Sequence, residues 1–284
     1  MQEKAATMQQ HHLQYHWNGE HYQVGFRSHG QASNPNVLVC VHGISRNARD
    51  FDAIGEALSD LYHVVAVDMP GRGMSDWMED KSQYNYPLYE TVAGEVIAMT
   101  GARQVDWIGT SMGGVIGMRI ASMPTSPIRK LVLNDIGPFI PSEGRKQNSR
   151  VFGLDTRFKS EEEGIRWVRE NRSAFGPFTE ADWEKFCRDS LRKISDSEWG
   201  LDYDPGLGGV RSVDDYNAWD QWERIACPVL CLWGLESVLL TSDTIERMKT
   251  SGPKAKVVEV PGVGHCPGLV NEAQIKAVRD FLTR

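Results

Sequence analysis

The chain of 284 residues is long enough to bury a sizeable core and near the upper end for one compact domain. With 40% hydrophobic and 24% charged residues its composition is that of a globular protein, and a net charge of -7 gives no electrostatic reason to expect nucleic acid or anionic lipid as a partner. The opening MQEKAATMQQHHLQYHWNGE has no apolar stretch followed by small residues, and runs such as Val37–Val41 are far too short to span a bilayer. No secretory leader is therefore expected, and a cytoplasmic location follows. Five cysteines without framework spacing, two of them (Cys40 and Cys231) inside apolar runs, read as reduced, buried thiols.

Taken in chain order, His12–Trp17 and His21–Ser28 flank Asn18-Gly19-Glu20 and predict a hairpin, since Asn-Gly between strands is a strong turn signal. Asn36–Val41 reads as a buried strand, Asp50–Ser59 as a helix, Tyr62–Val67 as the next strand and Tyr89–Thr100 as a helix. Val105–Ile108 is a strand running into Gly109–Gly114, with a helix from Gly113 to about Ser122 and a strand over Lys130–Asn134. Short β-branched runs alternating with amphipathic stretches imply a mostly parallel sheet covered by helices.

From about Gly137 to Arg224 the alternation stops. The stretch is richer in charge and Trp, its periodicity is helical, and Glu161–Glu170 and Thr179–Leu191 read as helices, the second opened by Thr179 as N-cap. So long a connection suggests an inserted helical cap over 137–224, with the core formed by 1–136 and 225–284. Its aromatic residues (Trp167, Phe175, Phe178, Trp183, Trp199, Tyr203, Trp219 and Trp222) would mostly hold helices down, a few of them lining an apolar pocket. Strand alternation resumes at Pro228–Trp233 and Lys256–Val260, with helices near Asp243–Lys249, where Asp243 reads as an N-cap, and over Glu272–Leu282.

Gly109-Thr110-Ser111-Met112-Gly113 fits G-x-S-x-G between a strand and a helix. A serine on so tight a turn needs a strained backbone, so its neighbours two positions away must lack side-chain bulk. Ser111 is the expected nucleophile. The amide of Met112 would face a developing oxyanion, and Ile44, after Val41-His42-Gly43, would supply a second amide. His42 and the turn Asp68–Ser75 read as structural. Of eight histidines, His265, in Gly262-Val263-Gly264-His265 after the last strand, is the one whose place in chain order suits a base for Ser111.

Together His42-Gly43, Asp68-x-x-Gly71-x-Gly73-x-Ser75, Gly109-x-Ser111-x-Gly113 and Gly264-His265 resemble the α/β-hydrolase superfamily. More narrowly, His42–Asn47, Gly109–Gly114 and Leu133–Pro138 are similar to a group of bacterial α/β-fold hydrolases and carboxylesterases. The resemblance implies an eight-stranded sheet, and hydrolysis of a small-molecule carboxylic ester through an acyl-enzyme without cofactor. C–C bond hydrolysis or lactone opening would use the same machinery. The family usually places the triad Asp in a G-x-x-S-D-x-L segment, but Gly234-Leu235-Glu236-Ser237-Val238-Leu239-Leu240 has Val238 there. Valine cannot orient an imidazole, so either another carboxylate serves or the scaffold is a disabled hydrolase acting as a ligand receptor. Asp135, at the end of the strand before the cap, is the first candidate, although it could merely cap the loop entering the cap. Glu236 is the alternative. No clustered Cys/His spacing or phosphate-binding Gly-rich loop is present, so no metal or nucleotide is expected. Oligomeric state, acyl length and acyl transfer against hydrolysis are not legible.

Overall fold

The computed structural model describes residues 8–149, 152–209, 212 and 214–284. An eight-stranded sheet forms its centre, in the spatial order Gln9–Trp17, Glu20–His29, His63–Val67, Val37–Val41, Val105–Thr110, Ile128–Asn134, Val229–Gly234 and Lys256–Val260. The antiparallel hairpin β1 (Gln9–Trp17) and β2 (Glu20–His29) forms one edge, and Asn18 and Gly19 at its turn both adopt positive φ. The parallel part begins with β3 (Val37–Val41), α1 (Asp52–Leu58), β4 (His63–Val67), α2 (Tyr86–Met99) and β5 (Val105–Thr110). It continues through α3 (Met112–Ala121) and β6 (Ile128–Asn134).

The central strands are apolar at nearly every position because both faces of the sheet are covered. Val37, Val39 and Val41 pack into one buried cluster with residues of α2 and α3. Leu38 and Cys40, pointing the other way, join a second cluster with Ile54 and Leu58 of α1.

Between β6 and the next sheet strand the chain forms β7 (Phe139–Ile140), α4 (Ser142–Ser149), β8 (Arg157–Phe158), α5 (Glu161–Asn171) and α6 (Glu180–Asp189). There follow β9 (Leu191–Ser195), β10 (Glu198–Leu201), β11 (Tyr216–Asn217) and the short α7 (Trp219–Trp222). The expectation of a purely helical insert needs correction here. β8, β10 and β9 make a separate three-stranded sheet, and β11 pairs with β7. Strands of two to five residues are too short to impose a period of their own, and charged residues such as Arg192 and Lys193 hide the pattern. Thr179 does cap α6, reciprocally with Asp182, but the helix stops at Asp189 and Leu191 already belongs to β9.

The sheet closes with β12 (Val229–Gly234), α8 (Ser242–Thr250), β13 (Lys256–Val260) and α9 (Glu272–Thr283). Asp243 is not the N-cap of α8. Thr241 is, accepting from the amide of Thr244, and Asp243 sits in the first turn, where a carboxylate favours the positive end of the helix dipole. All five cysteines are free, and Cys40, Cys187, Cys231 and Cys266 are buried. Among the described residues no helix is long and apolar enough to cross a membrane.

Candidate active site

The turn between β5 and α3 shows why its sequence must carry glycine two positions either side of Ser111. A Cβ on Gly109 would stand 2.3 Å from the carbonyl of Gly113, and one on Gly113 would stand 2.0 Å from the carbonyl oxygen of Val41. The turn therefore presses against itself and against β3. Ser111 holds φ 50° and ψ -110°, a region that a side-chain-bearing residue keeps only where its surroundings impose it. Its N–H donates to the carbonyl of Asn134 at 3.1 Å, and the N–H of Gly113 donates to that of His42 at 3.2 Å. The indole Nε1 of Trp107 ties β5 to the turn by donating to the carbonyl of Gly113 at 3.1 Å.

The side chain of Ser111 lies 2.8 Å from Nε2 of His265, whose Nδ1 lies 2.7 Å from Oδ2 of Asp135. Three sheet-edge segments, one of them more than a hundred residues from the other two, thus form one hydrogen-bonded line. Since ionised Asp135 only accepts, Nδ1 carries the proton and Nε2 is left to accept from the Ser111 hydroxyl. Asp135 follows β6 with φ 54° and is fully buried. Its Oδ1 accepts from the amide of Gly234 at 2.8 Å, and its Oδ2 also accepts from the hydroxyl of Ser237 at 2.6 Å. The carboxylate therefore joins the ends of β6 and β12 besides contacting the imidazole. Glu236 is exposed, its amide bonded to the carbonyl of Val263, and Val238 is 41% exposed. The position where the resemblance places the acid faces outward in this chain.

Met112 is the first residue of α3, so its N–H is among the amides left without a partner inside the helix. Ile44 follows Gly43, over which the turn at Ser111 packs: a Cβ on Gly43 would lie 3.6 Å from that of Ser111. His42 holds the loop from beneath. Its Nε2 accepts from the amide of Met69 at 2.9 Å, and its Nδ1 contacts the carbonyl oxygen of Gly43 at 2.7 Å. Complete burial, reinforced by Arg72, lowers its pKa to about 3, so the ring is neutral, with Nδ1–H as donor and Nε2 as acceptor.

Two residues of this neighbourhood were not singled out in the sequence. Arg72, within the turn Asp68–Ser75, is fully buried and donates to the carbonyls of Ile44 (3.0 Å) and Pro70 (2.7 Å). It also reaches Sδ of Met112 at 3.4 Å, so one guanidinium touches both residues expected to supply oxyanion amides. The invariably charged side chain in a Gly-rich turn was the available signal. Ser237 stands in the same segment as Val238 and donates to Asp135 from there; its signal was its place beside the position where the resemblance expects Asp.

Above Ser111 lies a small cavity of about 20 Å³ whose lining includes Ile44, Ser45, Arg172, Phe175 and His265. A larger cavity of about 130 Å³ adjoins it, sharing Thr110, Phe175 and Cys266 as walls and adding the rings of Phe178 and Phe186. Ser111 lines the smaller space and not the larger. Among the described residues no three His, Cys, Asp or Glu side chains converge as a metal site would require.

A strained serine between strand and helix, a histidine after the last strand and a buried carboxylate are the parts of a hydrolase site on this type of sheet. The model of the alpha/beta hydrolase family matches residues 38–280, and the chain belongs to that family. It is 38% identical to 3-hydroxybutyrate-oligomer hydrolase of Cupriavidus necator over 273 residues, covering 92% of this chain and 93% of the relative. An esterase of Mycobacterium tuberculosis, Rv0045c, is 26% identical over 81% of this chain and 77% of its own. The crystal structure of an alpha/beta hydrolase from Novosphingobium aromaticivorans superposes with a TM-score of 0.84 at 28% identity, covering 99% of both chains. The chain is accordingly an enzyme of the hydrolase class.

Proposed function

We propose that this enzyme hydrolyses small carboxylic esters through an acyl-enzyme formed on Ser111. The observation that carries the reading is the unbroken line Ser111–His265–Asp135, with distances of 2.8 and 2.7 Å. Ser111 Oγ attacks the ester carbonyl while His265 Nε2 takes its proton. The oxyanion is held by the amides of Ile44 and Met112, each such donor contributing roughly 3 kcal/mol to the barrier reduction. His265 returns the proton to the departing alcohol, then activates a water that cleaves the acyl-enzyme. Asp135 keeps the ring oriented and stabilises its cationic form.

Residues 1–136 and 225–284 act in this reading as the catalytic core and 137–224 as a cap that covers Ser111 and shapes substrate access. The Cupriavidus necator relative makes short oligoesters of a hydroxy acid the first natural candidates. The test is turnover of p-nitrophenyl esters from acetyl to dodecanoyl, and of the 3-hydroxybutyrate dimer, by wild type and Ser111→Ala. Turnover that disappears in the variant is expected, with a chain-length optimum that sizes the pocket. Wild type inactive on every ester, or a variant as active as wild type, would overturn the proposal.

A further inference from the structure

Arg72 is 0% exposed, and burying a charge is costly unless the fold answers it. Here the fold does so with neutral groups. Its Nε donates to the carbonyl of Ile44 at 3.0 Å, and its Nη1 to the carbonyl of Pro70 at 2.7 Å and the hydroxyl of Tyr89 at 3.0 Å. Its Nη2 reaches Sδ of Met112 at 3.4 Å. With so many of its donors engaged, the planar fork has little freedom left. The backbone of its turn is tied down too: Arg72 pairs with Tyr203 in an antiparallel bridge, and the amide of Asp204 donates to the carbonyl of Gly71 at 2.8 Å.

The two peptide units that flank the Cα of Ile44 are held from different sides. In the first, the carbonyl of Gly43 accepts from the amide of Arg46 at 3.1 Å and contacts Nδ1 of His42 at 2.7 Å. A peptide unit is planar and trans, so anchoring that oxygen aims the Ile44 N–H the opposite way. In the second, the carbonyl of Ile44 is anchored by Arg72. Released from Arg72, the second unit could turn about the Cα and carry the loop with it.

We propose that Arg72 is a positioning residue of the oxyanion hole, fixing where the Ile44 and Met112 amides point by holding both residues with one guanidinium. This rests on the ester-hydrolase reading above, in which those two amides receive the oxyanion. A donor aimed beforehand at the oxyanion stabilises the transition state more than the bound ester, so misaiming it costs turnover and not substrate binding.

The probes are p-nitrophenyl butyrate, an alkyl trifluoromethyl ketone and the matching methyl ketone. Ser111 Oγ adds to the trifluoromethyl ketone's carbonyl carbon, its proton passing to His265 and the carbonyl oxygen becoming an oxyanion; the methyl ketone binds as a ground-state control. Arg72→Met is expected to lower kcat by about tenfold to a hundredfold with KM little changed, part of the roughly 10²–10³ that loss of a whole oxyanion donor costs. The trifluoromethyl ketone's inhibition constant rises by a like factor, while that of the methyl ketone stays within about twofold. Arg72→Lys keeps the charge without the fork and restores only part of both. Wild-type kcat in Arg72→Met, full recovery in Arg72→Lys, or equal weakening of both ketones, as a purely structural arginine would give, overturns the assignment. Should Arg72→Met fail to fold, Arg72→Lys decides alone: a parallel fall in kcat and trifluoromethyl ketone affinity supports the role, and wild-type values of both reject it. If wild type cleaves no ester yet its affinity for the trifluoromethyl ketone still falls selectively in the variants, the ester reading fails while the role of Arg72 stands.

Discussion

Replacing Asp135 by Asn preserves shape while changing which atoms can accept. Oδ1 meets one donor, the Gly234 amide, and Oδ2 meets two, the Ser237 hydroxyl and His265 Nδ1. An asparagine that keeps its oxygen towards Gly234 presents an NH2 to Ser237 and the imidazole. The Ser237 hydroxyl can rotate and accept, but the ring can accept at Nδ1 only by moving its proton to Nε2. That proton then faces Ser111 Oγ, 2.8 Å away, and the histidine can no longer take one from it. The opposite amide orientation sets NH2 against the Gly234 N–H, leaving buried donors unsatisfied at a cost of about 1–3 kcal/mol. The first orientation is therefore favoured, and it carries the wrong tautomer. The same exchange in a triad protease lowers kcat by about 10⁴, equivalent to roughly 5.5 kcal/mol of activation free energy. We expect a loss of that order in p-nitrophenyl butyrate turnover by Asp135→Asn, with the thermal midpoint lowered by only a few degrees. Turnover within about tenfold of wild type would refute the reasoning, most directly if Glu236→Gln abolished activity instead. Val238→Asp alone should leave kcat unchanged, because Nδ1 of His265 is already engaged.

Ser237→Ala removes one donor to Asp135 and the acceptor that its hydroxyl offers to the amides of Leu239 and Leu240. Steady-state kinetics should show kcat reduced about tenfold, the worth of one hydrogen bond to a charged group, with KM little changed. Gly113→Ala places a methyl group 2.0 Å from the Val41 carbonyl oxygen, which backbone cannot yield cheaply. Loss of soluble expression, or a clearly lowered melting temperature, is expected, and a variant as stable as wild type would contradict the packing described. His42 has its folded pKa lowered from 6.5 to about 3, so the unfolded chain binds the proton more readily. Its contribution to stability is full above about pH 6.5 and is lost as pH falls towards 3, with a ceiling of roughly 5 kcal/mol. Urea unfolding at about pH 7 and about pH 4.5 should show a shallower acid loss in His42→Gln than in wild type.

Legibility followed the range of the interactions. The turn at Ser111 stood out because its strain and crowding arise within five residues, so the demand for glycine is written beside the serine. Helix ends were readable for the same reason where a short side chain caps its own helix, as Thr179 does for α6. At α8 two threonines flank the true start, and Asp243 was mistaken for the cap when Thr241 supplies it. The short strands between β6 and β12 were missed because pairing partners as distant as Phe158 and Trp199 define them, and no local period announces them.

The carboxylate beside His265 was the hardest part to read. Asp135 and Ser237 are far apart in sequence and meet because β6 and β12 lie side by side, bringing the amide of Asp135 to the carbonyl of Leu232 at 2.8 Å. Nothing between positions 135 and 232 marks that adjacency. What Arg72 and Arg172 contact was not legible for a similar reason: an arginine's role is set by what its long side chain reaches, and both reach other segments. By itself the sequence determined the alternation of strand and helix, the strained turn at Ser111 and the place of His265 in chain order, because these depend on local geometry and periodicity. Only the tertiary structure decided which carboxylate meets the imidazole and which cations line the space above Ser111, because those contacts exist only once distant strand ends are packed together.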